Sequence, residues 1–293
     1  MVVIHMHMSQ KTAAGIDRSA IQKYLSDVTF DTLPGEGFGE AISHLPEGAR
    51  LAVVLTPNLG MEQTVEKTEL AREHGYEVVP HVAARFVEDA DELDRIAGRL
   101  KQAGVTDIFV PGGDRDEPIG EFESALDVLL ELERLGYEFE EVGIGGYPTG
   151  HSEIAAEILD EAMQRKAPHA TYLVTQMCFD AEAIVDWIDG VRDRGIELPV
   201  ETGIPGVMEY RQLMTLARRW GVAGPLSFAR KTAGVFTFLR MLIGSGGHYK
   251  PDDMLPVIAP SLEDPHYNIR RLRLYTFNQT RTTESWRRDW LDK

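Results

Sequence analysis

DIFVPGGDRDEPIGEFESALDVLLELERLGYEFEEVGIGG, residues 107–146, holds one complete unit of the fold. Its two ends, 107–111 and 140–145, are short runs of β-branched and apolar residues, while the charged stretch 120–136 between them carries apolar residues at helical spacing. Strand, helix and strand in that order predict a parallel pair, because parallel neighbours need a long crossover and a helix supplies it. The same pitch continues outward on both sides. Strand-like runs recur at 28–33, 51–55, 77–82, 171–175, 199–204 and 271–277, with amphipathic stretches at 61–74, 89–103, 152–166, 180–194 and 208–219. Eight strands alternating with helices predict an α/β fold, a single (β/α)8 TIM barrel. The interval 221–270 breaks the rhythm with an apolar helix at 225–243, a Gly-rich break at 244–247 and a Pro-punctuated stretch to Pro265, so it reads as an elaboration before the last strand. Residues 1–20 read as a flexible leader and 21–293 as the barrel.

Composition narrows the class. The 293 residues are 43% hydrophobic, enough for a large core, yet no uninterrupted apolar run is long enough to span a bilayer and no basic region precedes an apolar one near the N-terminus. A soluble, cytoplasmic protein without a membrane partner is expected. Asp and Glu number 47 against 30 Lys and Arg, a net charge of −17 spread along the chain, and such a surface repels nucleic-acid backbones. Cys178 is the single cysteine, which excludes an internal disulfide and a multi-cysteine metal site, and it reads as a small buried apolar residue. His5 and His7 imitate a two-ligand HxH motif and keep a metal-dependent barrel hydrolase in view, but they precede the first good strand by about twenty residues, and no metal is expected. Trp286 and Trp290, with Arg281, Arg287 and Arg288, read as a closing helix packed on the barrel.

Barrel chemistry sits where strands end and their following loops begin. Those positions form a polar set: Asp31 in VTFDTLPG, Thr56 in VVLTPN, His81 in VPHVAARF, Asp114 in FVPGGD, Tyr147 and His151 in VGIGGYPTGHSE, and Gln176 in YLVTQMCFD. Taken singly, a strand-end carboxylate caps a helix as readily as it does chemistry, and a lone histidine is most often a hydrogen-bonded structural one. Convergence of many polar groups on one rim is hard to attribute to stability. Gly112, Gly113, Gly143, Gly145 and Gly146 leave backbone bare where a flat ligand could lie, or where the barrel packs tightly. No GxGxxG opens a helix after the first strand, so the dinucleotide fingerprint is absent.

These segments resemble one family. GGYPTGHSE is similar to the AYPxxHPE-type segment of methylenetetrahydrofolate reductases, VTQMCFDAE to their TQxxFD segment, LYTFN to their YTLN, and VPGGD, VVLT, VPH and ETGIPGV follow that family's order over roughly 28–280. The resemblance implies FAD at the C-terminal mouth of the barrel, NADH or NADPH as reductant, and hydride transfer to methylenetetrahydrofolate to give methyltetrahydrofolate. It implies that Thr56, His81, Gly113, Asp114, Tyr147 and His151 contact the flavin, that Arg165 stands where a Lys near the flavin phosphates is usual, and that Gln176 and Gln279 meet the folate. Asp31 becomes the proton donor, with Asp114 and Gln176 beside it in the catalytic set. A homo-oligomer is implied as well. Three positions depart from the family's pattern: Asp31 replaces a Glu, Gly112 replaces an Arg, and Gln279 replaces a common Arg. A non-catalytic folate or flavin binder and a flavin-free reductase of the same fold stand as alternatives.

Overall fold

Every strand of the barrel is a short run in which alternate residues face helices and interior. The structure, a computed structural model, describes residues 18–209 and 247–292. In chain order the strands are β1 (Val28–Thr32), β2 (Arg50–Val53), β3 (Glu77–Pro80), β4 (Asp107–Val110), β5 (Glu141–Gly146), β6 (Tyr172–Thr175), β7 (Val200–Pro205) and β8 (Ile269–Tyr275). Except for β3 with β4, all pair in parallel with their sequence neighbours, and β8 pairs with both β7 and β1. Closure between β3 and β4 is made by a bridge of His81 with Phe109, where Val82 N–H donates to the Phe109 carbonyl at 2.8 Å. The eight-stranded barrel is therefore borne out.

The helices between strands form where the sequence supplies both a buried stripe and a start signal. Helix α3 (Gly60–Glu73) follows β2, and α4 (Ala90–Gln102) follows β3, with Asp89 accepting the Glu92 N–H as N-cap. After β4, α5 (Ala125–Leu135) opens on a Ser124–Asp127 capping box and closes on Gly136 at φ 77°. Helix α6 (Ala156–Lys166) follows β5, and α7 (Ala181–Asp193), capped by Asp180, follows β6. Three helices lie outside the expected set, two of them in the first part of the chain. α1 (Arg18–Ser26) starts within the stretch read as a leader and buries Ala20, Ile21 and Leu25, while α2 (Phe38–Ser43) fills the β1–β2 connection.

The elaborated segment is described only in part. Met208–Glu209, expected to open a helix, pairs antiparallel with His248–Tyr249; the remainder of that helix and the apolar helix at 225–243 lie outside the described residues. The Pro-punctuated stretch contains α8 (Leu255–Leu262), which packs on α1 and α7. Pro256 sits in its first turn, where no N–H bond is lost. The C-terminal pattern does give a closing helix, α9 (Thr280–Leu291): Trp286 and Trp290 are buried, and both indole N–H groups donate to Asp252 Oδ1 at 2.8 Å. Among the described residues no helix is long and apolar enough to cross a membrane.

The barrel interior carries much more charge than the usual aliphatic layers. Ala52, Val79, Phe109, Tyr172 and Val174 form a small apolar plug, and charged groups lie on both sides of it. Toward the N-terminal end, Arg50 bonds Asp107 and Glu141, Arg270 reaches Glu141, and Tyr172 donates to Asp107 Oδ1 at 2.9 Å. Burial pushes the Asp107 carboxyl up to about 8 against the pull of Arg50. The interior is close-packed, and glycine makes room for two of its rings. A Cβ on Gly143 would sit 2.6 Å from the Tyr172 ring, and one on Gly203 would sit 2.5 Å from the Tyr275 ring and 2.6 Å from the Thr175 carbonyl oxygen. Backbone cannot yield as a flexible side chain does, so Gly203→Ala should cost ~1–3 kcal/mol, read as a lowered urea midpoint. An unchanged midpoint would contradict this packing account.

Candidate active site at the barrel mouth

Asp31 lies near the C-terminal end of β1, with Cα register to Tyr275 of β8, and its side chain points into the barrel because Phe30 and Thr32 take the other face. It is 3% exposed. Its Oδ1 accepts from Arg273 Nε at 2.5 Å, its carbonyl accepts from Thr276 Oγ1 at 2.5 Å, and its Oδ2 is buried without a partner. Burial raises this carboxyl to about 6, with Arg273 opposing the shift through charge and hydrogen bonding, and Glu201 adding to it.

Neighbouring strands extend the rim. His81, after β3, is buried edge-on to Phe109 and takes a 2.7 Å hydrogen bond on Nε2 from Arg273 Nη2. Burial and then the Arg273 charge hold its pKa well below the ordinary value, so it is neutral. Thr56, after β2, has a buried Oγ1 with no partner, while its carbonyl accepts the Leu59 and Gly60 N–H groups that start α3. Tyr147, after β5, meets His151 edge-to-face at 5.7 Å; burial and the Asp114 charge raise its hydroxyl pKa, which places Asp114 within electrostatic reach. Gln176, after β6, donates to Thr149 Oγ1. Tyr275, from β8, donates to the Thr175 carbonyl at 2.9 Å. The mouth thus gathers Asp31, Thr56, His81, Asp114, Tyr147, His151 and Gln176 from six strand ends.

Three residues of the expected set, Arg165, Gln279 and Gly113, have surroundings of their own. Arg165 occupies the last turn of α6, about 13 Å along the helix from its mouth end. A groove of about 280 Å³ between α6 and α7 begins at Tyr147 and Pro148, and the cation lining it is Arg194, whose buried Nε has no partner and whose Nη1 lies 3.3 Å from Asp160. Arg194 gave no signal as a motif residue. Gln279 is N-cap of α9, and its side-chain carbonyl accepts the Glu209 N–H at 3.0 Å, tying the chain after β7 to the last helix. Gly113 is explained by its φ of 99° and by Phe86, 3.0 Å from where a Cβ would stand. Its neighbour Gly112 faces open space, and a Cβ on Gly145 would meet nothing closer than the Tyr147 hydroxyl at 3.7 Å. Gly143 and Gly146 serve packing, the latter against Trp187.

Two further observations concern the cysteine and the histidine pair. Cys178 is buried, and burial pushes its thiol up to about 11, so it is an unreactive packing residue. Among the described residues no group of three metal-ligating side chains occurs, and His5 and His7 lie outside them.

Sequence comparison decides the family. The family model described as "Methylenetetrahydrofolate reductase" matches residues 56–236, more than half of the chain. The chain belongs to the methylenetetrahydrofolate reductase family. Within the match fall Thr56, His81, Gly113, Asp114, Tyr147, His151, Arg165 and Gln176; Asp31 and Gln279 fall outside it. A probable methylenetetrahydrofolate reductase (NADPH) of Caenorhabditis elegans is 25% identical over 198 residues, covering 62% of this chain and 29% of that protein. Methylenetetrahydrofolate reductase 1 of Schizosaccharomyces pombe is 29% identical over 146 residues, covering 46% of this chain and 24% of that protein. The chain therefore spans about a quarter of the length of these family relatives. Among solved structures, a putative phosphonomutase from Burkholderia cenocepacia J2315 aligns with 79% of this chain and 97% of its own at 16% identity and a TM-score of 0.43.

Proposed function

We propose that this chain is a flavin-dependent oxidoreductase that passes a hydride from NADH or NADPH, by way of FAD, to methylenetetrahydrofolate, giving methyltetrahydrofolate. The observation that carries the reading is the Asp31 carboxyl, buried at the mouth with one oxygen pinned and the other unpartnered. Opening the folate's one-carbon ring requires a proton at the departing nitrogen, and a carboxyl raised to about 6 holds one close to neutrality.

The residues present fit a flavin. A buried Thr56 hydroxyl lacks a partner, Gly112 and Gly145 leave bare backbone for a flat ring, and Tyr147 walls both the mouth and the α6–α7 groove, so an elongated ligand could occupy both. Bound FAD supplies the hydride relay between nicotinamide and folate. In this reading Thr56, His81, Asp114, Tyr147 and His151 hold the ring system, Arg165 and Arg194, on the two helices that flank the α6–α7 groove, supply cations for the phosphates, and Gln176 orients the folate. The acidic surface excludes nucleic acid from the partners we propose, and a homo-oligomer in the cytoplasm completes the reading.

The first experiment is an anaerobic titration of the purified chain with FAD. Quenching of flavin fluorescence at one equivalent is expected; no binding in excess FAD would sink the cofactor assignment. The pH dependence follows from Asp31. The working form carries the proton, and that form predominates below the folded pKa. Folate reduction by the reduced enzyme should therefore fall as pH rises through about 6 and beyond, with no matching limb in flavin reduction by NADH or NADPH. Stopped-flow rates across pH check this, and a flat folate limb would mean another group delivers the proton.

A further inference from the structure

Among the described residues Arg273 is the largest side chain buried completely, and no motif singled it out. It stands on β8 one step below the mouth, opposite Thr29 of β1 and Gly203 of β7. Its guanidinium lies over the Phe109 ring at 5.1 Å. Nε donates to Asp31 Oδ1, Nη2 donates to His81 Nε2, and Nη1 lies 4.0 Å from Glu201 Oε2. Guanidinium has donors only and stays protonated, so the direction of each bond is fixed. A ring nitrogen of His81 that accepts from Arg273 cannot itself carry the proton, which leaves Nδ1 as the N–H of the neutral ring.

We propose that Arg273 is a positioning residue: one guanidinium pins Asp31 through Oδ1, so that Oδ2 is the oxygen free for ligand chemistry, and sets His81 as the neutral Nδ1–H tautomer, a hydrogen-bond donor at the mouth. The inference rests on the reductase reading for Asp31 but not for the His81 tautomer. Glu201 makes the arrangement workable. It is fully buried on β7 and also contacts Arg271 at 3.1 Å and Arg270 at 3.6 Å, so Arg273 keeps an anionic neighbour when Asp31 takes up a proton. The groups facing Asp31 and Arg273 are Glu201 from β7, His81 after β3, Tyr275 beside them on β8, and Tyr172 from β6. None of these replaces Arg273 as donor to both the carboxylate and the imidazole.

The test uses the full chain labelled with ¹⁵N-histidine, with the His81 signals identified by their absence in His81→Gln. The expected wild-type spectrum shows a protonated Nδ1 and an unprotonated Nε2. Arg273→Gln should mix the tautomers, and Arg273→Lys, which keeps the charge but offers one donor point, should do so as well and guards against a Gln variant that does not fold. In the folate half-reaction, loss of the cation in Arg273→Gln should move the Asp31 limb up by about one pH unit or more, while Arg273→Lys should leave it near the wild-type position. A wild-type Nε2–H tautomer, or His81 spectra and pH limbs unchanged in both variants, would overturn the proposal. Should the wild-type chain reduce no folate at all, the reductase reading fails while the His81 spectrum still decides the tautomer.

Discussion

Asp31→Asn is expected to lower the rate of folate reduction by ~10²–10⁴-fold while NADH or NADPH still reduces the bound flavin. The size follows from the role assigned to Oδ2: an amide has no acidic proton to deliver near neutrality, yet its carbonyl can still accept from Arg273 Nε. The exchange therefore removes the proton and keeps the anchor. Glu201 remains as counter-ion for Arg273, so the fold should survive. Rapid-mixing measurements of the two half-reactions check the expectation, and equal loss in both would show that Asp31 serves the flavin rather than the folate. Asp31→Glu is informative beside it. Its extra methylene would have to fit between Arg273 and the mouth in a pocket where the carboxyl is 3% exposed.

The second large effect concerns stability. Glu201 is 0% exposed and sits among Arg270, Arg271 and Arg273, with Thr29 Oγ1 donating at 3.4 Å. Glu201→Gln preserves the shape and removes the charge, leaving three guanidinium groups with fewer anions in a poorly solvated interior. Breaking a buried ionic cluster on one side costs ~3–5 kcal/mol, a large share of the ~5–15 kcal/mol typical of whole domains. Denaturant unfolding should show that loss, whereas Thr29→Val, which removes only a long hydrogen bond at the same place, should cost under about 1.5 kcal/mol. A Glu201→Gln protein as stable as the parent would mean that solvent reaches this cluster.

The expected architecture was legible because strand and helix periods are local properties of the chain. All eight strands coincide with apolar runs, and α4, α5 and α7 begin at Asp89, Ser124 and Asp180, residue types that accept the first free N–H groups. The rim was legible for a related reason: a strand-end position in a parallel barrel fixes which end of the molecule a residue occupies, so Asp31, Thr56, His81, Asp114, Tyr147, His151 and Gln176 share the mouth. What a side chain does there depends on partners distant in sequence. Arg273 lies 242 residues from Asp31 and 192 from His81. A signal did exist, since in IRRLRLY Arg271, Arg273 and Tyr275 alternate with Leu272 and Leu274, and charges on the inward face of a barrel strand require inward partners. The place of Arg165, in the last turn of α6, was not legible because spacing along the chain does not say how far along its helix a residue has travelled. The contact of the Gln279 carboxamide with Glu209 was not legible either, because it joins positions 70 residues apart.

One measurement bears most directly on the central claim. The flavin-loaded chain is reduced anaerobically with NADH or NADPH until its yellow absorbance bleaches, and methylenetetrahydrofolate is then mixed in. The account predicts recovery of the oxidised flavin band, with one methyltetrahydrofolate formed per flavin reoxidised. A reduced flavin that stays bleached in excess methylenetetrahydrofolate, and returns only on admission of oxygen, would contradict it.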